Sequence, residues 1–265
     1  MAMQSREEVN PNKVMKSVDR ALAVLRYFTV AEPELGLADV TRRSGLDKAT
    51  VHRILTALAR NGLLEQMPAT RKYRLGPESL RLAQVREASV PITAILAPVL
   101  AQLSTDSGET AHASLGASEG MLTIGVSEPQ RSTRVFVDPS ASLPFHASAS
   151  GQVFCAFADA EQGEAILQAT RFEQFTETTP VDARDLRQRV DAARQNGFAV
   201  AHGTLEADTV GVAAPFFDAS GRVIGAVAVA GLSSRMDGEA IARAGALVCA
   251  AAKQVTRQLG GRSGA

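Results

Sequence analysis

Between Ser17 and Leu75 a 3.6-residue hydrophobic repeat runs through three short segments and then gives way to a two-residue one. That order leaves few folds open. Ser17 is placed to cap a first helix whose apolar face is Val18, Leu22, Leu25 and Phe28, and Pro33 and Gly36 break it. A second helix is predicted over Leu37 to Ser44, with Leu37 and Val40 inward and Arg42 and Arg43 outward. Gly45 supplies a tight turn, and Asp47 caps a third helix to about Asn61, with a stripe of Val51, Ile54, Leu55 and Leu58. Gly62 ends it. Leu63–Met67 and Arg71–Leu75 then read as two strands around the turn Pro68–Thr70.

Helix, glycine turn, helix is the arrangement that seats a second helix in a major groove. The third helix offers Lys48, Ala49, Thr50, His52 and Arg53 near its N-terminus, types that include partners for base edges and phosphates. Taken alone, this favours an ordinary helical hairpin with a solvated basic face. The hairpin directly behind it tips the balance, because a basic tip of Arg71, Lys72 and Arg74 makes it a wing. Charge agrees: residues 1–90 hold 15 Lys and Arg against 10 Asp and Glu, whereas residues 91–265 hold 13 against 18. The expected partner of the N-terminal segment is double-stranded DNA.

The 265 residues allow two modest domains, and 45% hydrophobic with 21% charged residues excludes wholesale disorder and a coiled-coil rod. Two cysteines, Cys155 and Cys249, build neither a disulfide framework nor a multi-cysteine zinc site. No apolar run reaches 18 residues and Met1–Pro11 is polar rather than signal-like, so the expectation is a cytoplasmic protein with no membrane partner.

Pro77–Val90 reads as a connector helix carrying Leu80, Leu82, Ala83 and Val85, stopped by Pro91. A further helix from Ile92 to about Ser107 closes at Gly108. Beyond it, Thr110–Ala117, Met121–Glu128 and Thr133–Asp138 have strand periodicity. Helices are predicted from about Ala147 to Ala158 and from Asp182 to Asn196. Strands follow over Phe198–His202, Thr209–Phe217 and Val223–Leu232, the last two joined by a hairpin turn at Asp218–Gly221. A long helix from Asp237 to Leu259 ends the pattern. The fold class expected is α+β: a winged helix-turn-helix domain over residues 12–76, a connector over 77–90, and an antiparallel sheet flanked by helices over 91–260.

The phrases Ser17-Val-Asp-Arg-Ala-Leu22, Leu46-Asp-Lys-Ala-Thr-Val-His-Arg-Ile-Leu55, Gly62-Leu-Leu-Glu65 and Tyr73-Arg-Leu-Gly-Pro77 resemble the IclR-type transcriptional regulators. Leu143-Pro-Phe-His-Ala-Ser-Ala-Ser-Gly151, Gly197-Phe-Ala-Val200, Leu205-Glu206, Val212–Asp218 and Val227–Gly231 extend the likeness to about Leu259. The resemblance implies a GAF-like effector domain that binds a small metabolite, a connector that helps pair subunits, and a homodimer or tetramer. In members that respond to glyoxylate and pyruvate, a Gly-Ala pair, an Asp, a Cys and two Ser hold the ligand. Those positions fall on Ala149 and Ser150, Ala201, Gly211, and Ala228 and Ala230 here. The usual Lys is Gln152, and the usual Leu-Arg is Thr209-Val210.

Four polar holders have thus become alanine or glycine. The effector expected is an organic acid with an apolar body, its carboxylate at the helix start Ala147–Ser150 with the hydroxyls of Ser148 and Ser150. His202 joins the candidate effector residues, open between pocket lining and surface. His112 reads as a strand residue near the pocket, and His146 as a residue at a helix start. No Gly-x-Ser-x-Gly elbow, phosphate loop or metal-ligand spacing of histidines occurs, so neither catalytic residues, nor a metal site, nor a cofactor is expected. The competing readings are an enzyme with an accessory nucleic-acid domain, and an architectural DNA binder whose second domain only oligomerises.

Overall fold

The computed structural model of the chain describes residues 15–140 and 142–261. Met1–Pro11 and the start of the expected first domain lie outside them. The chain forms two compact units that divide between Arg86 and Glu87.

The first unit contains α1 (Lys16–Leu25), α2 (Leu37–Ser44), α3 (Lys48–Arg60), β1 (Leu64–Gln66), β2 (Tyr73–Leu75) and most of α4 (Pro77–Ser89). Gly36 opens α2 by donating its N–H to Asp39 Oδ2 at 3.0 Å. Gly45 closes α2 at φ +65°, a left-handed conformation that costs glycine nothing. Asp47 starts α3 by accepting the Thr50 N–H at 2.9 Å. Val24, Phe28, Leu35, Val40, Val51, Leu55, Leu58, Leu64 and Tyr73 form the core.

Three expectations need correction here. Met15, not Ser17, precedes α1, and no side chain caps that helix. Val18 and Leu22 are 47% and 51% exposed, because α1 turns Val24 and the following Phe28 to the core instead. Arg43 does not point freely outward: it pairs with Glu32 at 2.6 Å and donates to the Tyr27 carbonyl, tying α2 to the end of α1.

The wing strands are shorter than their periodicity suggests. Met67 N–H bonds the Lys72 carbonyl at 2.8 Å, so residues 67–72 belong to the turn. Arg71 sits there at φ +59°, uncommon for a side-chain-bearing residue. Leu35, from the α1–α2 loop, exchanges two backbone hydrogen bonds with Tyr73 at 2.9 and 2.8 Å. This bridge pins the wing to the helices.

The second unit holds α5 (Ile92–Ser107), β3 (Thr110–Gly116), β4 (Met121–Ser127), β5 (Ser142–Leu143), α6 (Ala149–Phe157) and α7 (Ala160–Ala169). It continues with α8 (Ala183–Asn196), β6 (Ala199–His202), β7 (Thr209–Phe217), β8 (Val223–Leu232) and α9 (Gly238–Gln258). The strands form one antiparallel sheet in the order β5-β4-β3-β8-β7-β6. Alternation sends Ala111, Ala113, Val210, Val212, Val227 and Val229 into a core with α5 and α9. Ala201, Ala213, Ala226 and Ala228 face α6 and α8 instead. Both faces are covered, which is why β7 and β8 are nearly continuous apolar runs.

Residues 133–138 are not a strand. They cross as an irregular segment, fixed where Val135 accepts the buried Thr110 hydroxyl at 2.6 Å. The sheet edge is taken by the two-residue β5, paired with β4. Helix α7 went unforeseen: its only apolar residues packed on the core are Ile166 and Leu167, too few for a repeat. Asp159 starts it by accepting the Gln162 N–H at 2.8 Å.

The first turn of α6 rests directly on the loop before it. A Cβ at Gly151 would stand 2.4 Å from Phe145 Cα and 2.6 Å from its carbonyl oxygen. At Gly163, inside α7, the nearest atom would be a comfortable 3.7 Å away. Gly151→Ala is therefore expected to destabilise the second unit by about 1–3 kcal/mol. Gly163→Ala is expected to stabilise it by about 0.4–1 kcal/mol. Urea unfolding of the two full-length variants should show midpoints moving in opposite directions.

Candidate nucleic-acid interface and ligand cavity

Burial of Val51, Leu55 and Leu58 fixes which side of α3 faces out. That outer side carries Lys48, Ala49, His52 and Arg53 in the open, with Thr50 half-buried. Arg53 Nη2 reaches the Thr50 hydroxyl at 3.3 Å, so the two side chains lean on each other. One turn on, Thr56 and Arg60 border the same shallow groove as His52 and Arg53. Both are exposed on the same side of α3 as His52 and Arg53, about one turn further along.

On the wing, Arg71 and Lys72 are exposed, while Arg74 is paired across the ladder with Glu65. Among the described residues, Lys48, Arg53, Arg71 and Lys72 enter no ion pair within 4 Å. Asp47 is held below the ordinary carboxylate range by the Thr50 hydroxyl and then by the Thr50 N–H, so it stays a charged cap.

The second unit encloses a cavity of about 210 Å³. Its floor is the small-residue face of the sheet: Ala201 pairs with Gly211, Gly211 with Ala230, and Ala228 with His112. The start of α6 forms one wall. Val135–Asp138 with Leu143 form another, and the Thr204–Glu206 loop a third. That loop is anchored by the Thr204 hydroxyl on the Ala147 carbonyl at 2.6 Å. Ser148, Ala149, Ser150, Ala201, Gly211, Ala228 and Ala230 all line this space. His202 does not: it is exposed, because strand alternation turns it away from the face that Ala201 occupies.

Ser148 is already committed. It caps α6 by accepting the Gly151 N–H at 3.0 Å and donates to the Pro144 carbonyl at 2.7 Å. Ser150, 1% exposed, has a hydroxyl with no partner. Helix geometry also leaves first-turn amides, here those of Ala149 and Ser150, without an intrahelical acceptor. Among the described residues, the cavity wall holds two acids, Asp138 and Glu206, and no Lys or Arg. Asp138 Oδ1 already accepts from the N–H and hydroxyl of Ser140.

His112 stands in the cavity wall, and its Nδ1 is buried without a partner. Burial pushes its imidazole down to about 4, so the ring is neutral at pH 7. Sequence reasoning set it beside the pocket; its pairing with Ala228, a long-range register, is what brings it in. His146 is a packing residue at the start of α6: Nε2 meets the Glu173 carbonyl at 2.9 Å and the ring lies against Phe172 and Phe175. Cys155 is buried and its thiol is pushed up to about 12 by desolvation, which leaves it unreactive. Among the described residues no three His, Cys, Asp or Glu side chains converge on a metal position, and no single helix is long and apolar enough to cross a membrane.

A basic recognition helix with a wing, followed by a separate α+β unit that encloses a ligand-sized cavity, defines a DNA-binding regulator with an effector domain. Comparison with known proteins agrees. Residues 17–68 match the IclR helix-turn-helix domain, and residues 86–257 match the bacterial transcriptional regulator IclR C-terminal domain. The chain belongs to the IclR family of transcriptional regulators. It is 32% identical to the glycerol operon regulatory protein of Streptomyces coelicolor over 93% of this chain and 97% of that one. A crystal structure of an IclR transcriptional regulator from Silicibacter superposes with a TM-score of 0.83 at 37% identity, covering 93% and 97% of the two chains. An IclR homologue from Microbacterium hydrocarbonoxydans, solved with 4-hydroxybenzoate, shares the fold at a TM-score of 0.74 and 23% identity, covering 92% and 98%.

The buried neutral His112 makes stability depend on pH. Its folded value of about 4 lies below the ordinary 6.5, so between those values the unfolded chain binds the extra proton. Its contribution is complete above pH 6.5 and lost as pH falls toward 4. The difference amounts to something on the order of 3 kcal/mol. Urea unfolding of full-length wild type and His112→Gln across that range should show the wild type losing stability more steeply. Parallel curves would contradict the enclosure of the ring.

Proposed function

We propose that this regulator reads a two-fold symmetric operator as a homodimer or dimer of dimers and changes its occupancy when an organic acid with an apolar body enters the cavity. Residues 12–76 act as the DNA reader, 77–90 as the connector and 91–260 as the sensor. Lys48, Ala49, Thr50, His52 and Arg53 meet base edges and phosphates, while Arg71 and Lys72 follow the backbone at the wing. A single module covers too little DNA for tight specific binding, which supports a dimer. So do Val18 and Leu22 on α1, 47% and 51% exposed, Met15 just before it, 68% exposed, and Leu80 and Leu82 on α4, 68% and 47% exposed. The working compartment is the cytoplasm, and the protein performs no catalysis.

The observation that carries the sensing role is the cavity, with its alanine floor and an unpartnered Ser150 hydroxyl at the start of α6. It favours a sensor over a purely architectural DNA binder. A two- or three-carbon acid has almost no apolar surface, and Ala201, Gly211, Ala228 and Ala230 give it no side-chain donors. A larger acid gains about 25 cal/mol per Å² buried against those alanines. Its carboxylate takes the α6 amides and Ser150.

DNA binding to an operator selected from a randomised duplex pool, read by fluorescence anisotropy, tests the reader. Arg53→Ala should cost about 1–3 kcal/mol and relax one operator position. Lys72→Ala should weaken every duplex alike and reduce the salt slope by about one unit. Unchanged discrimination in Arg53→Ala would remove it from base reading. Calorimetric titration of the full-length protein with glyoxylate, benzoate and hexanoate tests the sensor. Benzoate or hexanoate should bind and glyoxylate should not, and Ser150→Ala should weaken whichever acid binds. Glyoxylate binding with the larger acids inert reverses the assignment.

A further inference from the structure

The second unit has a smaller pocket on the other face of its sheet. Val229 on β8 lines it, whereas the flanking Ala228 and Ala230 line the larger cavity. Met236, Ala244 and Leu247 make the rest of its floor apolar. Around that floor stand three arginines from three separate elements: Arg131 in the segment after β4, Arg235 between β8 and α9, and Arg243 on α9. One acid, Glu109, lines the pocket with them. It is 5% exposed and both its oxygens are taken, Oε1 by Arg235 Nε at 2.8 Å and Oε2 by Arg235 Nη2 at 2.7 Å. Gly231 makes room for this pair, since a Cβ there would stand 3.0 Å from the Glu109 carboxylate carbon. The guanidinium of Arg131 rests on Gly108, the left-handed glycine that closes α5. Among the described residues, Arg131 and Arg243 enter no ion pair within 4 Å.

From this we infer that the pocket is a second ligand site, which takes a small tetrahedral dianion: inorganic phosphate or the phosphate end of a monoester. Glu109 balances Arg235 and holds its planar fork in place. Arg131 and Arg243 keep two positive charges that no ion pair among the described residues balances, and a carboxylate would balance only one of them. Guanidinium forks match phosphate oxygens bidentately, and forks reaching in from three elements suit an anion with oxygens all round better than a flat one. An apolar floor keeps water from one side of the anion, which strengthens the attraction. The pocket holds about 90 Å³, less than half of the larger cavity's 210 Å³, so an ester substituent has to lead outward to solvent. The two spaces also share one stretch of chain. Arg131 stands four residues before Val135, which the Thr110 hydroxyl holds and with which the wall of the larger cavity begins. An anion gripped by Arg131 therefore steadies the outer end of that wall.

The test is calorimetric titration of the full-length protein with inorganic phosphate, methyl phosphate and acetate, at low and at physiological ionic strength. Phosphate should bind at both, about 10–100-fold more tightly than acetate. Methyl phosphate binding as tightly as phosphate assigns the monoester, and weaker binding assigns the free ion. Arg131→Gln and Arg243→Gln replace exposed side chains, so both variants should fold, and each should weaken phosphate about 10-fold or more. Arg257→Gln removes the same charge near the other end of α9 and should leave the affinity unchanged. Bound phosphate should also slow hydrogen exchange over residues 131–138 in wild type and not in Arg131→Gln. Binding that survives both pocket substitutions, or leaves exchange over that stretch unchanged, places the anion elsewhere and overturns the site. Binding lost at physiological ionic strength, or weakened as much by Arg257→Gln, reports surface charge only and overturns it too. If wild type binds neither phosphate and Arg243→Gln changes the oligomeric state in sedimentation, the arginines meet acids of a second copy, and the inference falls.

Discussion

The second unit depends on a difference in side-chain size between the two faces of one sheet. Toward α5 and α9 the strands present valines that fill the space to the helices. Toward α6 they present Ala201, Gly211, Ala213, Ala228 and Ala230. Small residues admit the helix start close to the sheet at Ala149 and Gly211, and Gly151 lets its first turn settle on Phe145. Where α6 begins, the same small residues leave a gap that no protein side chain fills. A close-packed interior seldom tolerates such a gap, so its persistence beside unpaired polar atoms is what gives the unit its chemistry.

The first unit is governed by a different constraint, the fixing of a short, exposed hairpin. A two-stranded ribbon of three residues per strand is marginal by itself. Leu64 and Tyr73 anchor its inner side in the helical core, and the Leu35–Tyr73 bridge adds a third strand-like partner from the α1–α2 loop. Arg71 and Lys72 thereby stand in a defined relation to α3, although the turn that carries them is polar and open. Rigidity comes from the buried side, and chemistry is left to the exposed side.

The two units divide the work of a regulator cleanly. Lys48, Arg53, Arg71 and Lys72, which enter no ion pair among the described residues, lie on α3 and the wing. Among the described residues the cavity wall holds acids and no Lys or Arg.

Much of this was legible in the chain. Local signals with a fixed period gave α2, α3 and α5, the β7–β8 hairpin and α9 to within a residue or two, because a cap, a left-handed glycine or an apolar stripe marks each. The basic side chains of the reader were equally plain, since exposure follows from which stripe is buried. What the sequence could not decide depends on partners far along the chain. Val18 and Leu22 fit an inward stripe until the placement of α1 turned Val24 inward. Residues 133–138 alternate like a strand, yet β5 takes the sheet edge. His202 and His112 look alike as strand histidines, and only the alternation of β6 and the register of β3 on β8 send one to solvent and the other into the cavity. Short-range periodicity is written in neighbouring residues, whereas register and edge occupancy are settled by contacts between segments distant in sequence, so only the folded molecule could reveal them.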